Sequence, residues 1–201
     1  MCFKLNNGRI YGITGDADLV REIALLLVGA KVPTTGSVQI NGFDLWKESA
    51  RAKAYLGFVP RAYATYLDIT PLEYLLFFTD VRQIEYELGI RRIGDALGAV
   101  GLSHKRDLLI KSLSDYEKKC LTLAQALLSQ AQILVLENPF EDLNAQDAER
   151  FAHLLESISP EKTLILCART PHYLRRMCGV CYRATASELL SDEDVAAKED
   201  C

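Results

Sequence analysis

The stretch Gly15–Glu22, GDADLVRE, follows the alternating apolar segment GRIYGIT and precedes IALLLVGA. A glycine, four further residues, a spacer and a basic residue between a strand and a helix is where a phosphate-cradling loop sits. That chemistry needs glycines so that backbone N–H groups can close around phosphate, a lysine for charge and a hydroxyl for magnesium. Only Gly15 is kept: Val20 stands at the second glycine, Arg21 at the lysine and Glu22 at the hydroxyl. Val20 is β-branched and resists positive φ, and the planar fork of Arg21 does not replace a point charge in a tight nest. Asp16 and Asp18 add negative charge where phosphate would lie. One carboxylate about 4 Å from a phosphate charge costs on the order of 4 kcal/mol at an effective dielectric near 20. A micromolar ligand has only about 8 kcal/mol in total. The same acids suit a helix N-terminus, with Asp18 capping LVRE, so the protein carries its own anion in place of phosphate.

Other residue types invite chemistry. Asp16, Asp18 and Glu22, joined by Glu137, form an oxygen set that a hard cation would accept. The chain has six cysteines, Cys2, Cys120, Cys167, Cys178, Cys181 and Cys201, and no leader-like N-terminus, which favours free thiols. The pair in CGVC, 178–181, follows the helical HYLRRM instead of opening a helix, and no second Cys/His pair stands at zinc-finger spacing. Coincidence is the favoured reading, with metal or redox use as the alternative.

Elements must position these residues. RIYGIT reads as a strand and residues 20–30 as a helix. TGSVQINGFDL reads as two short strands about an Asn-Gly turn. A helical WKESARAKA and a strand YLGFVP follow. Residues 63–118 are helical in period, with Thr70 as N-cap before Pro71. QILVLE and TLILC are continuous apolar strands on either side of the helix NAQDAERFAHLLESIS, and a last helix covers 171–178. Continuous apolar strands alternating with helices argue for a parallel sheet covered on both faces. The expected organisation is a core over 1–62, an inserted helical subdomain over 63–118, the rest of the core over 119–185, and a partly ordered, solvated acidic tail over 186–201.

The 201 residues are 49% apolar and 25% charged with a net charge of −4, an ordinary globular composition. No Lys/Arg run exceeds two residues, so no nucleic-acid footprint is visible. The longest apolar run falls far short of the ~20 residues a membrane span needs. The expectation is a soluble, cytoplasmic chain.

In this order the segments resemble the nucleotide-binding domain of ATP-binding-cassette (ABC) transporters, collinearly over residues 3–183. GRIYGITG sits at the strand entering the phosphate loop, and VPTTGSVQINGFDL at the following hairpin. LGFVPRAYATYLDITPLEYLLFF is similar to the Q-loop region. KSLSDYEKKCLTLAQALLSQAQILVLENPFEDLN parallels the signature helix, Walker B strand and D-loop, and KTLILCARTPHYLRRMC the switch strand. The resemblance implies an α/β fold: a P-loop NTPase-like, mostly parallel sheet flanked by helices, with the helical subdomain inserted.

It also implies roles that these residues have lost. Asn138 stands at the general base and cannot take a proton, a loss of roughly 10²–10⁴ in rate; beside Pro139 it suits a turn. Glu137 stands at the magnesium-linked acid, Arg61 at the Q-loop glutamine and Arg169 at the switch histidine, while His172, three residues on, reads as a surface residue. The signature LSGGQ corresponds to Leu113, Ser114, Asp115, Tyr116 and Glu117, where Ser114 and Glu117 also make a capping box. The family's leading segment carries an adenine-stacking aromatic, yet eleven residues precede Gly12 and Phe3 and Tyr11 lie too near the loop; the adenine platform is expected to be missing.

In that family two domains pair head to tail, each ATP held by one loop and the partner's signature. With both altered here, the resemblance implies a pseudo-ATPase that acts as an interaction or regulatory subunit for an ABC permease or a second ABC ATPase, with no bound cofactor. It would touch the membrane only through a partner. The Q-loop and helical subdomain, with Tyr63, Tyr66, Leu67, Leu72, Tyr74, Phe77 and Phe78, would be the docking region. The alternatives are a working site, binding ATP and Mg²⁺ through Arg21 and Glu137, and reuse of the fold for a cation at Asp16, Asp18, Glu22 and Glu137.

Overall fold

A computed structural model describes residues 5–62, 68–185 and 189–191. Strand β1 (Ile10–Thr14) runs into helix α1 (Ala17–Leu27), followed by the hairpin β2 (Gln39–Ile40) and β3 (Phe43–Asp44), α2 (Ser49–Lys53) and β4 (Leu56–Val59). Helices α3 (Pro71–Val81), α4 (Tyr86–Ala99) and α5 (Asp115–Leu127) come next. Strand β5 (Ile133–Glu137), α6 (Ala145–Ile158), β6 (Thr163–Ala168), α7 (His172–Met177), β7 (Val180–Ala184) and β8 (Leu189–Ser191) complete the order.

The chain divides into two compact units. The first, Met1–Arg61, Ala131–Glu141 and Leu155–Cys201, holds a six-stranded sheet in the order β4-β5-β6-β1-β7-β8. All neighbours are parallel except β7 with β8. The apolar runs ILVLE and TLILCA are buried along their whole length, as central parallel strands must be. On one face Ile13, Val135, Ile165 and Cys167 pack with Val20, Ile23, Ala24 and Leu27 of α1. On β1 the neighbouring residue Gly12 leaves room for other groups: a Cβ there would meet Cys181 Sγ at 2.9 Å and Leu174 Cδ2 at 3.1 Å. The Asn-Gly turn of the hairpin is formed, with Asn41 and Gly42 both at positive φ.

The second unit, Ala62–Gln130 and Asp142–Leu154, packs α3, α4 and α5. Thr70 and Ser114 each make a capping box, with Glu73 and Glu117, which fixes the starts of α3 and α5. This helical unit extends past 63–118. It includes α5, whose packing on α3 and α4 ties it there, and the first turns of α6, where Phe151 meets the Tyr116 ring edge-on at 6.5 Å.

Two sequence expectations need correction. Helix α1 begins at Ala17, not at 20. Strand β7 follows α7, and places Cys181 inside the sheet while Cys178 ends α7. Within the tail, expected to be partly ordered, residues 189–191 form strand β8, because β7 offers them an antiparallel partner. Among the described residues no helix is long and apolar enough to cross a membrane.

Candidate functional site

The parallel register gathers one end of the sheet. Thr14 lies beside Ala168 and Arg183, and Glu137 beside Cys167, so Gly15, Asn138 and Arg169 leave the carboxyl ends of β1, β5 and β6 together. Ligands of open parallel sheets bind at such ends.

Only Gly15 and Asp16 separate β1 from α1. Asp16, not Asp18, is the N-cap residue; its backbone is extended, its side chain makes no capping bond, and Asp18 sits in the first turn. The Val20 N–H donates to the Asp16 carbonyl at 2.9 Å. Val20 is thus a helical residue, fully buried in the core. The backbone N–H that a phosphate nest would use is spent inside α1. Gly15 is also close-packed: an added Cβ would lie 3.0 Å from the Ala184 carbonyl oxygen.

Arg21 and Glu137 meet. Arg21 Nε lies 3.7 Å from Glu137 Oε1, with side-chain exposures of 68% and 11%. The Arg61 N–H donates to Glu137 Oε2 at 3.5 Å, and Arg61 Nε lies 3.5 Å from Glu141 Oε2. Glu22 turns away to pair with Lys31. The four acids Asp16, Asp18, Glu22 and Glu137 are therefore not assembled: among the described residues no group of three or more His, Cys, Asp or Glu could hold a metal. Burial pushes the neighbouring Cys167 thiol up to about 12, with the Glu137 charge adding to the effect, so this cysteine is a neutral core residue.

Asn138 has a left-handed backbone, φ 43°, which Asn tolerates better than most residues. Its N–H donates to the Cys167 carbonyl at 2.7 Å, and its carbonyl accepts from Glu141 N–H at 3.2 Å, opening a turn. Its Oδ1 accepts from the Arg169 N–H at 3.1 Å. The general-base and switch positions are thereby tied together through a side chain that holds the backbone. His172 is exposed at the first residue of α7, its ring against Tyr173.

The signature positions lie in the helical unit at the start of α5, with Leu113 buried, Tyr116 and Glu117 half-buried, and Ser114 and Asp115 exposed. Ser114 Oγ accepts from Glu117 N–H at 3.2 Å, and Glu117 pairs with Lys105 at 2.6 Å. Asp115 pairs with Lys118 at 3.3 Å. Burial raises the Glu117 carboxyl, but Lys105 and Ser114 together outweigh it and leave it below its ordinary value. Tyr116 packs against Phe151, and the Arg150 guanidinium lies 4.2 Å from its ring centroid. Burial, with Cys120 next, pushes the phenol up to about 12. Lys105, Arg150 and Phe151 were not legible as partners from sequence, because Lys105 comes from the turn after α4 and Arg150 and Phe151 from α6. In the docking region Tyr74 is buried, Leu72 and Phe78 are half-buried and Phe77 is 60% exposed. Phe3, Tyr63, Tyr66 and Leu67 lie outside the described residues.

No protein-family model matches the chain. It is 25% identical over 183 residues to the linearmycin resistance ATP-binding protein LnrL of Bacillus subtilis, covering 90% of this chain and 58% of that protein. It is 27% identical over 173 residues to the lipoprotein-releasing system ATP-binding protein LolD 1 of Rhodopirellula baltica, covering 83% of this chain and 76% of the relative. The chain thus spans little more than half the length of LnrL. Among solved structures, cbiO1 from Clostridium perfringens superposes with a TM-score of 0.83 at 16% identity, over 98% of this chain and 85% of that one. A putative metal-chelate type ABC transporter in an inward-facing conformation superposes with a TM-score of 0.80 at 17% identity, over 96% of this chain and 75% of that one. Segment order, sheet topology and these similarities agree: the chain has the fold of ABC ATPase subunits, and the relatives it is similar to are ATP-binding proteins of ABC transporters.

Proposed function

We propose that this chain is a non-hydrolytic, cytoplasmic member of the family, acting as an interaction or regulatory subunit for an ABC permease or a second ABC ATPase. The observation that carries the reading is the two-residue connection Gly15–Asp16, which leads straight into a helix whose Val20 is core and whose Arg21 faces Glu137. A magnesium nucleotide held in the family's manner needs open backbone N–H groups, a lysine and a magnesium hydroxyl; the residues here do not fit it. The side chain at the general-base position accepts a backbone hydrogen bond instead, and the signature is packed by Tyr116, Phe151 and Arg150.

The partner half of the reading is supported by the relatives. The cbiO1 protein is part of the ABC transporter complex cbiONQ, and LolD 1 belongs to a lipoprotein-releasing system. The second reading is a working site with Arg21 and Glu137 as unusual ligands. It is favoured by the ATP-binding relatives and by the 3.7 Å approach of these side chains at the expected place. Mg-ATP titration separates the two. The pseudo-ATPase reading expects no magnesium-dependent site dependent on Arg21, and a tagged chain that retains a permease or a second ABC ATPase on purification from its native cells. Micromolar Mg-ATP affinity, lost in R21A, supports the second reading.

A further inference from the structure

The two thiols of CGVC converge on one point of the sheet. Cys178 ends α7, Cys181 lies in β7, and only Gly179 and Val180 separate them. Cys181 is registered against Gly12 of β1. A Cβ at Gly12 would meet Cys181 Sγ at 2.9 Å and Cys178 Sγ at 3.1 Å, so the two sulphurs are no farther apart than the sum of these distances, 6.0 Å. Glycine at position 12 leaves the space that both sulphurs share, and a larger residue would crowd them. Both are reduced thiols in this structure. Cys178 is half-buried, and Cys181 borders a cleft beside Arg175 and Ala184. Cys120 and Cys167 differ: both are fully buried, and burial pushes each thiol up to about 12.

We propose that Cys178 and Cys181 are a redox-active dithiol that closes to an intramolecular disulfide, with a small-molecule disulfide as oxidant. Cys178 is the attacking group, because it is the more exposed of the two. As thiolate it attacks one sulphur of the oxidant, forms a mixed disulfide and expels the first small thiolate, which takes up the proton that Cys178 lost. Cys181, deprotonated in turn, attacks the Cys178 sulphur and expels the second small thiolate, which takes up the proton of Cys181. The chain gives up two electrons and two protons, and the oxidant becomes two thiols. Closing the gap to an S–S bond of about 2 Å asks for movement of the link, not of the sheet: Cys178 stands outside β7, and Gly179 has open space at its Cβ position. The inference does not depend on whether the chain binds ATP.

The test is equilibration of the whole reduced chain with mixtures of reduced and oxidised glutathione, followed by acid quenching, alkylation, tryptic digestion and mass spectrometry. Cleavage after Arg176 and Arg183 puts both cysteines in one peptide, Met177–Arg183. The expected product is this peptide unalkylated and two hydrogens lighter. The folded chain should close at a ratio of oxidised to reduced glutathione about tenfold lower than the chain unfolded in urea, because the fold holds the sulphurs together. C181S should stop at the glutathione adduct on Cys178, and C178S should form its adduct more slowly. The proposal is overturned by alkylation of both cysteines under oxidising conditions, by linkage of either one to Cys2 or Cys201, by closure in urea as readily as in the folded chain, or by equal adduct rates in C178S and C181S.

Discussion

Arg21 and Glu137, which the resemblance sets at the phosphate lysine and the magnesium-linked acid, face each other at 3.7 Å. The pair contributes little to stability, because Arg21 is 68% exposed and exposed ion pairs are worth about 0–1 kcal/mol. Its importance is occupancy. We expect R21A to change unfolding free energy in urea by less than about 1 kcal/mol, and R21K to create no Mg-ATP binding, since the backbone N–H groups remain inside α1. A micromolar Mg-ATP site in R21K would refute this.

Val20 is where glycine would stand in a phosphate loop, and it is fully buried. Val20→Gly removes core side-chain volume and places glycine in a helix, so it should destabilise the chain by about 3 kcal/mol. In a true phosphate loop the glycine is the required residue, so the same change tells the two architectures apart. A V20G chain as stable as the wild type in chemical denaturation would contradict the assignment of residue 20 to the helix and core.

Much of this was legible in the sequence, and the reasons are local. Continuous apolar runs marked β5 and β6, Asn41-Gly42 marked the hairpin, and Thr70/Glu73 and Ser114/Glu117 marked two helix starts. What escaped was set by distant partners. The start of α1 at Ala17 depends on Val20 reaching the core, a choice that an LVRE pattern does not dictate. Strand β8 exists through its pairing with β7, inside a stretch whose acids read as a tail. The Arg21–Glu137 approach comes from strand order, which periodicity does not encode.

Asn138 ties the Arg169 N–H through its Oδ1 and holds a left-handed backbone. Asn138→Ala leaves that N–H without its acceptor and adds backbone strain, for a loss of about 2 kcal/mol. Asn138→Asp keeps the acceptor and should lose less than half as much. Equal losses in the two variants, measured by thermal or urea unfolding, would show that the Oδ1 contact contributes nothing.

At the signature, Tyr116→Ala should cost about 2 kcal/mol by removing the Phe151 and Arg150 contacts, whereas Tyr116→Phe should be near neutral. A Y116A chain with wild-type stability would mean that the residue is not part of the packing.

Glu117 is held below its ordinary carboxylate value in the folded chain. Its contribution is therefore present above the unfolded value near 4.5 and is lost as pH falls through the lower folded value. The stability difference between wild type and E117Q should be constant from pH 6 to 8 and shrink below about pH 4.5. A difference that persists undiminished at about pH 3 would contradict the Lys105–Glu117 ion pair as its source.

The most direct measurement is calorimetric titration of Mg-ATP into the wild-type chain. The account predicts no saturable heat up to millimolar ATP. A one-site isotherm at micromolar affinity, dependent on magnesium and abolished by Arg21→Ala, would contradict it.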